Sequence, residues 1–129
     1  MKVPQGVLKR LTGVYKGAIS VLGGFPWILL FAIAAVSVVP AELRPNTTLP
    51  HDLEHAGIYF LAGCAFGLSY PNRYLAWLVG LSTFTLATEI AQLWVPGRHA
   101  RVMDFLVDVF SIGVGLSIGA MLFRSTQRA

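Results

Sequence analysis

Six carboxylates and three histidines carry most of the acid–base and metal-binding capacity of this 129-residue chain, and their spacing follows helical geometry. His51, Glu54 and His55 stand at i, i+3 and i+4, so a helix would place them on one face. Glu89 and Gln92 are three apart. Arg101, Asp104 and Asp108 stand at i, i+3 and i+7, and Ser111, Gly115 and Gly119 continue the same stripe. Carboxylates and imidazoles so gathered can hold a cation or accept a proton, and the arginines can grip a phosphate. His51-Asp52-Leu53-Glu54-His55 also fits H-x-x-E-H, the inverted zinc-protease pattern, and histidines at i and i+4 can share a zinc ion. Three fixed positions in five residues carry little information, and a protease needs a third ligand, a cleft and a larger body. No metal and no cofactor is therefore assigned. The chain has no phosphate-binding glycine loop, nucleophile elbow or nucleic-acid motif. Catalysis is left unassigned, because no nucleophile is identifiable. Cys64 is the single cysteine, which excludes a disulfide framework or cysteine metal cluster within one chain.

The elements that must position these groups are apolar. The hydrophobic fraction is 55% and the charged fraction 12%, against about 25% charged in soluble domains. So small a body cannot hide that surplus in its own core, which makes a bilayer the expected solvent. Four apolar segments stand out, Leu22–Val39, His51–Tyr70, Tyr74–Val95 and Val102–Phe123. Each approaches the roughly 17–25 residues that cross a bilayer as a helix. Pro40, Pro45, Pro50, Pro71 and Pro96 fall in the gaps, where a missing N–H does least harm. The first segment ends in Val38-Val39-Pro40-Ala41, a poor cleavage site, so it is expected to be retained as a helix rather than removed as a signal peptide.

Ahead of it, Val7, Leu8, Leu11, Val14 and Tyr15 recur at helical spacing, with Lys9, Arg10 and Lys16 at other positions. This predicts a short basic amphipathic helix over 1–18, lying on the membrane surface before a four-helix bundle over 22–123. The fold expected for 1–129 is thus a single all-α transmembrane domain. With the N-terminus inside, Lys2, Lys9, Arg10, Lys16, Arg73, Arg124 and Arg128 are cytoplasmic, and only Arg44, Arg98 and Arg101 are outside. That asymmetry predicts both termini on the cytoplasmic side. All nine acids and histidines then fall in outer loops or outer halves of spans. The net charge of +4 is expected to face an anionic membrane surface rather than nucleic acid.

Charged groups at helix ends often only terminate a span, the role expected for Glu42, Arg44, Asp52 and His99. Intramembrane acids more often mark a site. The expected cluster, functional or structural, is His55, Glu89, Gln92, Arg98, Asp104 and Asp108, with Glu89 and Arg98 in contact or sharing a ligand.

Glu89-Ile-Ala-Gln92, followed by Val95-Pro96-Gly97-Arg98 and then Asp104, resembles the signature of the VanZ-like family: E-x-x-Q, a short P-x-R turn, and an aspartate opening the last helix. His55 matches a histidine that opens an earlier helix in that family. The resemblance spans roughly His51 to Gly119. Family members often have Asp-Lys where this chain has His51-Asp52, Asn at Asp108 and Gly at Ser111. The resemblance implies a multi-pass protein of the bacterial cytoplasmic membrane with an envelope-related role, and supplies no reaction. Two functions are expected from different classes. The first is binding of a polar ligand, such as a lipid headgroup or lipid-linked glycan, at the outer cluster. The second is service as a small accessory subunit of a larger membrane complex, its apolar faces packing on neighbouring helices.

Overall fold

The computed structural model describes residues 5–43 and 48–128, the side chains at 5, 8–22, 41 and 51 excepted. These residues form four helices and a single 3₁₀ turn (Ala41–Leu43), with no strand among them. The helices are α1 (Gln5–Ser37), α2 (His51–Ser69), α3 (Tyr74–Gln92) and α4 (Val102–Arg128). Two of them, α3 and α4, are long and apolar enough to cross a membrane, while Gly23–Ser37 of α1 is a shorter apolar stretch. In α2 the first turn carries Asp52 and Glu54, which dilutes its apolar character.

One expectation is corrected. The predicted break between a surface helix over 1–18 and a span from Leu22 is absent, and α1 is one continuous helix of 33 residues. Gly23 and Gly24 each cost a helix about 1 kcal/mol relative to alanine without ending it. Pro26 sits inside the helix and is almost fully buried, so packing offsets the lost hydrogen bond. The side chains of Leu8, Leu11, Val14 and Tyr15 lie outside the described residues.

Other helix ends have local causes. After Gln92 the chain tightens into i→i−3 bonds from Leu93, Trp94 and Val95 before Pro96, which stops α3 three residues short of the expected Val95. Gly97 then adopts φ 75°, a left-handed turn conformation that glycine takes without a Cβ clash. At the other end α4 runs past Phe123 to Arg128, where Ser125 and Thr126 donate to the carbonyls of Leu122 and Phe123.

The core runs along α2 and α4. Both helices start at the same end of the molecule and run parallel in direct contact, and α3 is the antiparallel helix that connects them in the chain. Gly63 and Gly67 of α2 face the backbone of Ile112, Leu116 and Ala120. Gly115 and Gly119 of α4 face the backbone of Phe60, Cys64 and Leu68. Each helix therefore presents a G-x-x-x-G face to the other, and the backbones meet with no side chain between them. Phe66, Leu81, Ile112 and Leu116 are fully buried around this seam. Away from the acids, Trp27 of α1 crosses Phe66 and Trp77 edge-on, with ring centroids 5.6 Å apart in both cases. The Trp27 indole N–H donates to the Tyr70 hydroxyl at 3.3 Å. The outer faces expose Phe31, Leu75, Val79, Phe110 and Met121.

Candidate functional site

The starts of α2 and α4 and the end of α3 converge at one end of the bundle, and the acids collect there. On α4, Asp104 and Asp108 are one turn apart and both buried, Asp108 with 0% exposure. The stripe read from spacing holds, since Ser111, Gly115 and Gly119 are also buried. On α3, Thr85, Thr88, Glu89 and Gln92 form one buried face at i, i+3, i+4 and i+7. On α2, His55 and Tyr59 turn inward together, one turn apart.

Two hydrogen-bonded chains tie these faces. The His55 Nδ1 lies 3.2 and 3.3 Å from the two carboxylate oxygens of Asp108, the geometry of an Nδ1–H shared between them. Thr85 donates its hydroxyl to Asp108 Oδ2 at 2.9 Å, so α2, α3 and α4 meet at one carboxylate. In the second chain Thr88 donates to the carbonyl of Thr85 at 2.8 Å. A hydroxyl has one proton, so the 3.1 Å contact between Tyr59 and Thr88 must run from the tyrosine to the threonine oxygen.

Glu89 stands apart from both chains. It is 4% exposed, and neither carboxylate oxygen has a donor in good hydrogen-bond geometry, the Arg101 backbone amide being the one donor near it. Leaving a buried carboxylate without a donor costs several kcal/mol unless a proton or cation joins it. Its oxygens face the same space as His55 and Asp108, and one ligand atom from each of the three lies within 4.8 Å of the others. Glu89 also lines a groove of about 190 Å³ between α3 and α4, with Leu86, Leu93, Arg101 and Phe105 in its walls. On the other flank, His55, Glu54 and Tyr59 line a notch of about 30 Å³ closed by Ile33 and Ser37 of α1, roomy enough for about one water molecule.

Of the six residues expected in the cluster, His55, Glu89 and Asp108 converge within 4.8 Å, and Gln92 and Asp104 are buried about one turn away on α3 and α4. Arg98 has a different place. Its Nη2 donates to the carbonyls of Val36 and Val39, at 2.9 Å each, and so ties the α3–α4 turn to the end of α1. Both lie at the C-terminal end of α1, where carbonyls run short of helical donors, and the Val36 carbonyl also accepts from the Val39 amide at 3.3 Å. No hydrogen bond joins Glu89 and Arg98, because the Glu89 oxygens accept none from a side chain. Charge reversal at both positions is therefore expected to be additive within about 0.5 kcal/mol, with no rescue by the double variant. Unfolding midpoints of the two single variants and the double test this, and partial restoration would overturn it.

Glu42, Asp52 and His99 are exposed, in keeping with their expected role at helix ends. Arg44 and the His51 side chain lie outside the described residues. Of the H-x-x-E-H pattern, His55 is committed to Asp108. Sequence reasoning missed Thr85, Thr88 and Tyr59. A signal was present, since all three stand three or four residues from a predicted member on the same helix face. The chain matches no family model, and no curated protein or solved structure is significantly similar to it.

Proposed function

We propose that this is a VanZ-like envelope protein of the bacterial cytoplasmic membrane, with four spans, both termini cytoplasmic and the acid-rich end outward. In this reading it binds an anionic amphiphile there, a lipid headgroup or lipid-linked glycan. The observation that carries the reading is the α3–α4 groove. Its walls are apolar, it opens to the side of the bundle, and Glu89 and the exposed Arg101 stand in it. Such a slot suits a molecule with a hydrocarbon tail and a charged head, and a lipid would enter it sideways from the bilayer. Arg101 would take the phosphate through charge-assisted hydrogen bonds, with Glu89 meeting hydroxyl or amine groups. Of the residues that carry the family resemblance, Glu89 lines this groove, and Pro96 and Arg98 lie in the turn that joins its two helices.

Native mass spectrometry of the protein released in mild detergent tests the reading. The wild type is expected to carry a phosphate-bearing lipid, identified as phospholipid or glycan carrier by its mass. Arg101→Ala should weaken retention roughly 10–100-fold, the worth of a hydrogen bond to a charged group. Arg73→Ala, at the opposite end, should not. A wild type that emerges free of lipid, or an R101A variant that retains it equally, would sink the proposal. The alternative, a small accessory or structural subunit of a larger membrane complex, rests on the exposed apolar faces of the helices. Recovery in a stable, stoichiometric set of other membrane subunits would favour it.

A further inference from the structure

We infer that His55, Glu89 and Asp108 form a binding site for one divalent transition-metal cation of the zinc or manganese class. The inference deepens the proposed ligand site and shares its location, but the three ligands are complete without a lipid.

The geometry comes first. The three side chains arrive from three different helices, all are buried, and their candidate ligand atoms lie within 4.8 Å of one another. Metal–ligand bonds of about 2.0–2.2 Å place tetrahedral ligand atoms about 3.5 Å apart. The His55–Asp108 pair is already at 3.2 Å. The remaining closure falls to Glu89, which has three rotatable side-chain bonds and no hydrogen bond to break.

Glu89 is also the independent sign of a missing partner. A carboxylate with 4% exposure and two unmet oxygens, aimed at a histidine and a second carboxylate, lacks positive charge or a donor. Arg98 donates no hydrogen bond to it, and its Nη2 reaches the carbonyls of Val36 and Val39. One nitrogen and two carboxylates make a donor set that suits first-row divalent ions, whereas calcium and magnesium favour all-oxygen sites. Three protein ligands leave a coordination position open for water or a ligand group.

The surroundings resemble an outer shell. Thr85 holds Asp108 Oδ2 and fixes the orientation of that carboxylate, as partners of metal-binding acids do. The cluster is approached from both flanks, through the α3–α4 groove at Glu89 and the small notch at His55. Binding would replace the proton between His55 and Asp108. The imidazole must be neutral at the metal, so that proton moves to Nε2 if the ring starts neutral and leaves to solvent if it starts as imidazolium.

The test uses untagged full-length protein in detergent, stripped with a chelator and dialysed against zinc or manganese, with metal and lipid measured on the same sample. One ion per chain is expected, retained after delipidation. Glu89→Gln, which keeps the shape and removes the charge, should weaken binding beyond the roughly 10–100-fold typical of an outer-shell loss, and Thr85→Val by about 10-fold. Asp52→Asn, at an exposed position, should bind as the wild type does. A wild type that holds no ion, an E89Q variant that binds equally well, or preference for calcium over zinc and manganese would each overturn the inference. Lipid carried by a wild type that takes up no ion after dialysis would overturn the cation site and leave the ligand proposal standing. Stoichiometric metal on a wild type that carries no lipid as first isolated would do the reverse.

Discussion

Alanine at Gly115 is expected to force α2 and α4 apart and to destabilise the protein by about 1–3 kcal/mol, the usual cost of overpacking a tight contact. The added Cβ would collide with the carbonyl of Phe60 and crowd the amide of Cys64 at 2.9 Å. Both obstacles are backbone, so no side chain can rotate aside. Gly119 meets the carbonyl of Cys64 in the same way, one turn further along. The two sites share one seam, so the double substitution should be non-additive. Once the first alanine has separated the helices, the second meets less resistance, unless the pair no longer forms at all. Gly80→Ala is the control, because a Cβ there meets nothing within 4 Å. Midpoints of denaturant-induced unfolding in detergent decide the matter, and equal midpoints for Gly115→Ala and Gly80→Ala would refute it.

The second large effect is expected at Asp108. Asp108→Leu strips His55 and Thr85 of their partner at a position with no exposure, and breaking a buried pair from one side costs about 3–5 kcal/mol. Asp108→Asn should cost much less. The amide keeps the shape, and its oxygen can still accept from Thr85. A double-mutant cycle with His55→Ala isolates the pair, with a coupling of about 0.5–3 kcal/mol expected. A coupling near zero would mean that the two groups are neighbours without being partners. The comparison matters for the cation as well, because Asp108→Asn preserves the fold while removing a ligand charge.

Much of this arrangement was legible in the residues alone. The stripe from Asp104 through Asp108 and Ser111 to Gly119 had to face inward, since polar groups at helical spacing on an apolar helix find partners only among other helices. Glu89 and Gln92 followed from the same argument. What could not be read was which partner each group takes. Arg98 was matched to Glu89 by charge, whereas the structure gives it to two carbonyls that exist only because α1 ends beside it. Backbone acceptors at a helix end have no residue letter. The continuity of α1 was hidden for a related reason. A change from basic to apolar composition looks like a boundary, yet helix propagation needs only backbone hydrogen bonds and no breaker strong enough to stop it. The reciprocal glycine faces of α2 and α4 were visible as separate helix-packing signals, and their register against each other was not.

That register bears on how the molecule is made. The two helices that pack most closely are separated in the chain by the whole of α3, so α2 leaves the ribosome well before its partner exists. Until α4 follows, Gly63 and Gly67 have no backbone to rest on, and His55 has no carboxylate to meet. A chain released early, before Asp108, Gly115 and Gly119 are added, keeps an open seam and lacks the carboxylate that His55 meets. Closure of this seam therefore waits on α4, and loss of that helix should leave the earlier ones exposed to the proteases that survey newly made chains.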